Sequence, residues 1–231
     1  MAKAKKPRNQ KQSHFSVREI KPLTENHDFM FREFRKGKNL LLHGLAGTGK
    51  TYNSFYLALD ELLNKKSEYD KIIVIRSVVP SRDMGFLPGT IAEKARVFED
   101  PYVSVCNSLF GRGDAYDILK HRGMLEFTTS SHLRGMTFNN SIIIIDEIQN
   151  MTFPELDTII TRVGSNCRLI LCGDYRQTDL IKDKEKSGVK LFMHIINKME
   201  SFTSIEFDID DIVRSGLVKD YILAKIQYGN V

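Results

Sequence analysis

Residues 39–51 read Asn39-Leu40-Leu41-Leu42-His43-Gly44-Leu45-Ala46-Gly47-Thr48-Gly49-Lys50-Thr51, an apolar run of strand length that opens into G-x-x-x-x-G-K-T. From Tyr52 to Asn64 apolar residues recur at helical spacing, so the order is strand, loop, helix. Glycines 44, 47 and 49 allow the loop to bend tightly enough for its backbone N–H groups to converge on a phosphate, and the helix N-terminus adds partial positive charge. Leu45, Ala46 and Thr48 complete the cradle, Lys50 reaches the β and γ phosphates, and the Thr51 hydroxyl is available to Mg²⁺.

Further strands flank this loop. Ser141-Ile142-Ile143-Ile144-Ile145-Asp146-Glu147 is a buried strand whose tip delivers two carboxylates, about 100 residues after the phosphate loop. In this Walker B arrangement Asp146 holds Mg²⁺ through water and Glu147 orients and polarises the attacking water. Cys167 to Cys172 reads as another buried strand, followed by Gly173-Asp174-Tyr175-Arg176-Gln177, where the Gln177 amide can sense the terminal phosphate. Lys71 to Ile75 is a third β-branched run, Met124 to Thr128 a short strand and Ser204 to Phe207 a last one. Arg76 to Gly89, rich in Pro and Gly, lies at a strand's carboxyl end and is a candidate nucleic-acid contact.

Between the strands, helices are predicted over 90–122 with a break at Phe110 to Gly113, from a capping box at Thr152 to about Arg162, over Ser187 to Met199, and through Asp208 to Tyr228. Upstream, Thr24 caps a helix carrying Phe29, Phe31 and Phe34, rings expected to pack beside the first strand. The same shelf is also a place for a purine base. Strands alternating with helices imply an α/β fold, a P-loop NTPase with a mostly parallel sheet covered on both faces and its chemistry at the strand tips.

Composition narrows the class. With 231 residues, 42% hydrophobic and 27% charged, the chain can bury a substantial core. No apolar run is long enough to span a membrane and none resembles a signal segment, so a cytoplasmic protein without membrane contact is expected. Three cysteines without C-x-x-C spacing and scattered histidines argue against disulfides and a structural metal. The net charge of +5 resides in residues 1–12, where Lys3, Lys5, Lys6, Arg8 and Lys11 meet no acid. Residues 1–14 therefore read as a disordered basic tail, suited either to holding phosphate backbones or to solubility alone, and 15–231 as one domain.

The segments GLAGTGKT at 44–51, GFLPG at 85–89, LRG at 133–135, IIIIDEIQN at 142–150, TRVG at 161–164, GDYRQTD at 173–179 and DIVRSGL at 211–217 resemble, in order, the PhoH family of P-loop ATPases. That family is itself similar to the first motor domain of superfamily 1 helicases. The resemblance spans residues 20–228 and implies a RecA-like sheet, ATP and Mg²⁺, hydrolysis, and a role with RNA or single-stranded DNA. The single-domain form with a basic tail looks like versions carried by bacteriophages. His27 stands where the family often has the glutamine that reads adenine, leaving ATP against GTP open, and Arg76-Ser77 stands where Arg-Pro is usual.

A helicase of this type takes an arginine from a second motor domain, and such a finger contributes about 10³–10⁵ in rate. A lone first domain should then be a poor ATPase, and a homo-oligomeric ring, with a hexamer as one candidate, would let each subunit lend an arginine to its neighbour. Arg162 and Arg214 are the first candidates, Arg134 and Arg176 the second. Three functions are compatible with this: a nucleic-acid-stimulated ATPase or translocase, a nucleotide-controlled assembly switch, and, last, a small-molecule kinase.

Overall fold

The computed structural model describes residues 15–77, 91–133, 135–174 and 183–228, with backbone alone for 91–96, 132 and 183–187. The strands are β1 (Asn39–Gly44), β2 (Lys71–Arg76), β3 (Leu125–Thr129), β4 (Ser141–Asp146), β5 (Cys167–Gly173) and β6 (Phe202–Phe207). They form one sheet in the order β3-β2-β4-β5-β1-β6, parallel at every pairing. The helices are α1 (Glu25–Arg35), α2 (Lys50–Leu62), α3 (Ile91–Phe110), α4 (Ala115–His121), α5 (Phe153–Thr161), α6 (Asp183–Ile196) and α7 (Gly216–Gln227).

A parallel sheet must be covered on both faces, and side-chain alternation sends each strand's residues to both. Leu40, Leu42, Ile142 and Ile144 pack with α1 to α4, while Leu41, Ile143 and Ile145 pack with α5 and α6. Every residue of β4 is buried, as four consecutive isoleucines demand. Helix α2 leaves the tip of β1 on one face and α6 follows β5 on the other, so the neighbouring tips of β1 and β5 open into a crevice. That is the ligand position of an open α/β sheet.

The expected fold is found, with local corrections. Phe31 and Phe34 are buried, but Phe29 is 36% exposed, because a helix offers the core one stripe and position 29 lies off it. The predicted capping box opens α5. The predicted helical stretch 208–228 is interrupted: a single turn at Ile209–Asp211 precedes an extended Ile212, and α7 begins only at Gly216. Cys167 is half-buried at the start of β5, whereas Cys172 is buried, and all three cysteines are free. Among the described residues no helix is long and apolar enough to cross a membrane.

Candidate nucleotide site

The phosphate loop is held from three sides. Gly44 has φ +116°, and a Cβ on it would lie 2.0 Å from the Phe207 carbonyl oxygen, so only glycine permits this junction of β1 with β6. One residue on, the Leu45 N–H donates to the same carbonyl at 2.9 Å. From the other side, the Val213 N–H donates to Gly47 O at 3.2 Å. Arg214 and Ile222 lie close over Gly47, where an added Cβ would meet Arg214 Cγ at 3.0 Å and Ile222 Cδ1 at 3.4 Å. The turn preceding this segment is itself anchored, since Thr24 Oγ1 and Asn26 Nδ2 donate to the Asp211 carboxylate at 2.5 and 2.7 Å. These bonds hold the Asp211 carboxyl below its usual range against the opposing effect of burial.

His27, expected at the base, is 1% exposed and pairs Nε2 with Thr48 O at 2.8 Å. Its Nδ1 is buried without a hydrogen-bond partner among the described residues. The ring therefore supports the loop backbone. On the same side Ile20, Lys21 and Leu23 line the cleft.

Lys50 opens α2 and is buried, donating to Gly44 O at 3.0 Å, Leu45 O at 2.6 Å and Thr48 Oγ1 at 3.1 Å. Burial holds its ammonium below the ordinary lysine value, opposed chiefly by Asp174 and then by Cys172, Glu147 and Asp146. The Thr51 hydroxyl donates to Asp146 Oδ1 at 3.0 Å, and the Tyr102 hydroxyl donates to Oδ2 at 3.0 Å. Burial, then the charge of Glu147, raises the Asp146 carboxyl to about 6, with Thr51, Tyr102 and Arg76 opposing.

Glu147 occupies the left-handed region at φ 57°, ψ 45°, a conformation that costs a non-glycine residue about 1 kcal/mol or more. Its carboxylate accepts from Gln149 Nε2, and Gln149 Oε1 accepts from the Asp174 N–H at 2.9 Å. One glutamine side chain thus ties the tip of β4 to the tip of β5.

These groups line one cleft of about 1040 Å³, large enough for a nucleoside triphosphate. Its walls bring together residues 46–51, His27, Asp146, Glu147, Gln149, Asp174, Arg76 and Arg214. Arg162 is not among them. It follows α5, before β5 begins, and so lies at the opposite edge of the sheet, where its carbonyl accepts from the Phe138 N–H at 2.9 Å. Gln177, Arg176, Arg134 and the segment 78–90 fall outside the described residues.

The donor set fits Mg²⁺. No cluster of three or more His, Cys, Asp or Glu side chains that would cage a metal occurs among the described residues. One hydroxyl and one carboxylate in contact, beside phosphates and water, are what a small oxygen-seeking cation uses. Two acids at one buried strand tip also leave negative charge that a divalent ion would neutralise.

Sequence reasoning missed Tyr102, Gln149 and the position of Arg76. Arg76 had a legible signal, as the first charged residue after a continuous apolar strand, and its register partner is Asp146. Tyr102 had none, being one aromatic residue within a helical stretch.

The family model for PhoH-like protein matches residues 19–225. The chain belongs to this family. A PhoH-like protein of Synechocystis sp. is 34% identical over 182 residues, covering 78% of this chain and 54% of that protein. A PhoH-like protein of Bacillus subtilis is 34% identical over 190 residues, covering 81% and 58%. The chain therefore spans little more than half the length of these curated relatives. Among solved structures, a Bacteroides sp Pif1 in complex with ADP-AlF4 superposes with TM-score 0.44 and 16% identity, covering 90% of this chain and 47% of that one.

Proposed function

We propose that this PhoH-family P-loop NTPase hydrolyses ATP with Mg²⁺, is stimulated by single-stranded RNA or DNA, and works as a ring of identical subunits. The observation that carries the reading is the convergence of Lys50, Thr51, Asp146 and Glu147 on one cleft. The loop N–H groups and the α2 N-terminus hold the phosphates. Lys50 exchanges its three oxygen partners in the loop for phosphate oxygens, whose negative charge offsets the burial that holds its ammonium below the ordinary lysine value. Thr51 and Asp146 hold the metal, which when bound supplies Lewis-acid neutralisation of the phosphate oxygens. Glu147, fixed by its strained backbone and by Gln149, orients the water for in-line attack and takes its proton. His27 braces the loop, and the base packs towards Ile20 and Leu23.

The two arginines divide by position. Arg214 stands over Gly47 of its own subunit and serves in cis, at the phosphates. Arg162, at the far edge, is of these two the one placed to act on a neighbour. The basic residues of 1–12 and the segment from Ser77 to Gly89 are assigned to the nucleic-acid backbone.

A second reading, a nucleotide-controlled assembly switch, draws on α7. This helix buries no residue: Ile222 lies over Gly47, while Leu217, Tyr221 and Tyr228 are 82%, 67% and 83% exposed. Such a helix joins the loop to an uncovered apolar stripe. The ATPase rate with and without single-stranded RNA or DNA, across a salt series, separates the two. Stimulation that fades with salt supports the motor, because phosphate contacts release counterions; an unchanged rate supports the switch.

A further inference from the structure

We propose that Tyr102 and Arg76 form a positioning pair that sets the Asp146 carboxylate for its divalent cation. This rests on the metal-dependent reading above and adds to it two residues that act through Asp146.

Asp146 has both carboxylate oxygens engaged, Oδ1 by Thr51 and Oδ2 by Tyr102, each at 3.0 Å. Two donors from two different helices fix the plane of the carboxylate, leaving the Thr51 side to the metal. Tyr102 is itself held by packing. It is fully buried, stacked on Phe55 with ring centroids 5.4 Å apart, and tilted against Phe127 at 5.9 Å. Arg76 lies close enough to the Tyr102 oxygen and to Asp146 for its charge to act on both, while the phenol donates its hydrogen bond to the acid. Arg76 is placed for this by register, since β2 and β4 pair Arg76 with Asp146 at their tips. Its ring contact with Phe98, 6.0 Å from guanidinium carbon to centroid, holds the other side.

Packing alone does not explain the hydroxyl. Tyr102 belongs to an apolar cluster with Phe55, Leu109 and Tyr116, and phenylalanine would fill the same space and keep both ring contacts. A tyrosine hydroxyl carries its proton at neutral pH, and here the carboxylate oxygen 3.0 Å away is its acceptor. The hydrogen bond it donates is the outer contact that orients a metal-binding carboxylate, and the loss of such a contact costs about 10–100-fold in metal affinity.

The test is a Mg²⁺ titration of binding of a fluorescent ATP analogue to wild type, Tyr102→Phe and Arg76→Gln, with nucleotide affinity in EDTA and the melting temperature measured alongside. Tyr102→Phe is expected to raise the Mg²⁺ concentration at half-saturation about tenfold, with affinity in EDTA unchanged. Arg76→Gln is expected to raise it at least threefold. If Tyr102→Phe fails to fold, Arg76→Gln decides by the same criterion. A half-saturation point within twofold of wild type, or an equal loss of affinity with and without metal, overturns the pair. Wild-type protein whose nucleotide binding ignores Mg²⁺ overturns the underlying metal-dependent reading as well.

Discussion

Asp146→Asn should stabilise the protein in EDTA without nucleotide while ending hydrolysis. The folded carboxyl titrates at about 6 against an ordinary 3.8, with burial as the leading cause and Glu147 second. A carboxyl raised on folding binds its proton more tightly in the folded state. Its ionisation therefore costs stability, a cost absent below the unfolded value and complete once pH has risen through about 6. At ~1.4 kcal/mol per pH unit, that interval corresponds to about 3 kcal/mol. Asparagine keeps the shape, can still accept from Thr51 through Oδ1, and offers an amide to the Tyr102 oxygen, so the charge is the main thing removed. In a domain of this size 1 kcal/mol moves the melting temperature by about 2–4 °C, which puts the variant about 6 °C or more above wild type at pH 7.5. Near pH 4 the gap should close. Melting at or below the wild-type temperature at pH 7.5, or a gap equally large at pH 4, would refute the assignment of a strained, charged carboxylate at this strand tip.

Gly44→Ala should cost more than about 3 kcal/mol by urea unfolding, since its Cβ would meet the Phe207 carbonyl at 2.0 Å in a left-handed backbone; a loss under about 1 kcal/mol would contradict that approach. Glu147→Gln should bind Mg²⁺ and ATP as wild type does but turn over at least about 100-fold more slowly, and retained turnover would remove its water-orienting role. Mixing Lys50→Ala with Arg162→Ala subunits should restore part of the hydrolysis, whereas mixing Lys50→Ala with Arg214→Ala should not. The reverse pattern would exchange the cis and trans assignments.

The strands and the phosphate loop were legible because their signals are local. Four isoleucines ending in two acids, or three glycines before Lys50-Thr51, carry their meaning within a few residues. What the chain order concealed depends on sheet order and register. Arg76 reads as the start of a substrate loop until β2 is seen to lie beside β4, which turns it towards Asp146. Arg214 reads as a residue to lend, and only the Val213 to Gly47 hydrogen bond reveals that its segment lies over its own loop. His27, read from resemblance as a base contact, is drawn under the loop by the capping of α1 at Thr24 and by packing against Phe207. Tyr102 is indistinguishable from a core aromatic residue until its hydroxyl is located.

Isothermal titration calorimetry of ATP with Mg²⁺, on wild type and Lys50→Ala, bears most directly on the claim that this crevice is a triphosphate site. Saturable binding near one nucleotide per chain is predicted for wild type, with none for the variant. Absence of binding by wild type, or equal affinity in Lys50→Ala, would contradict it.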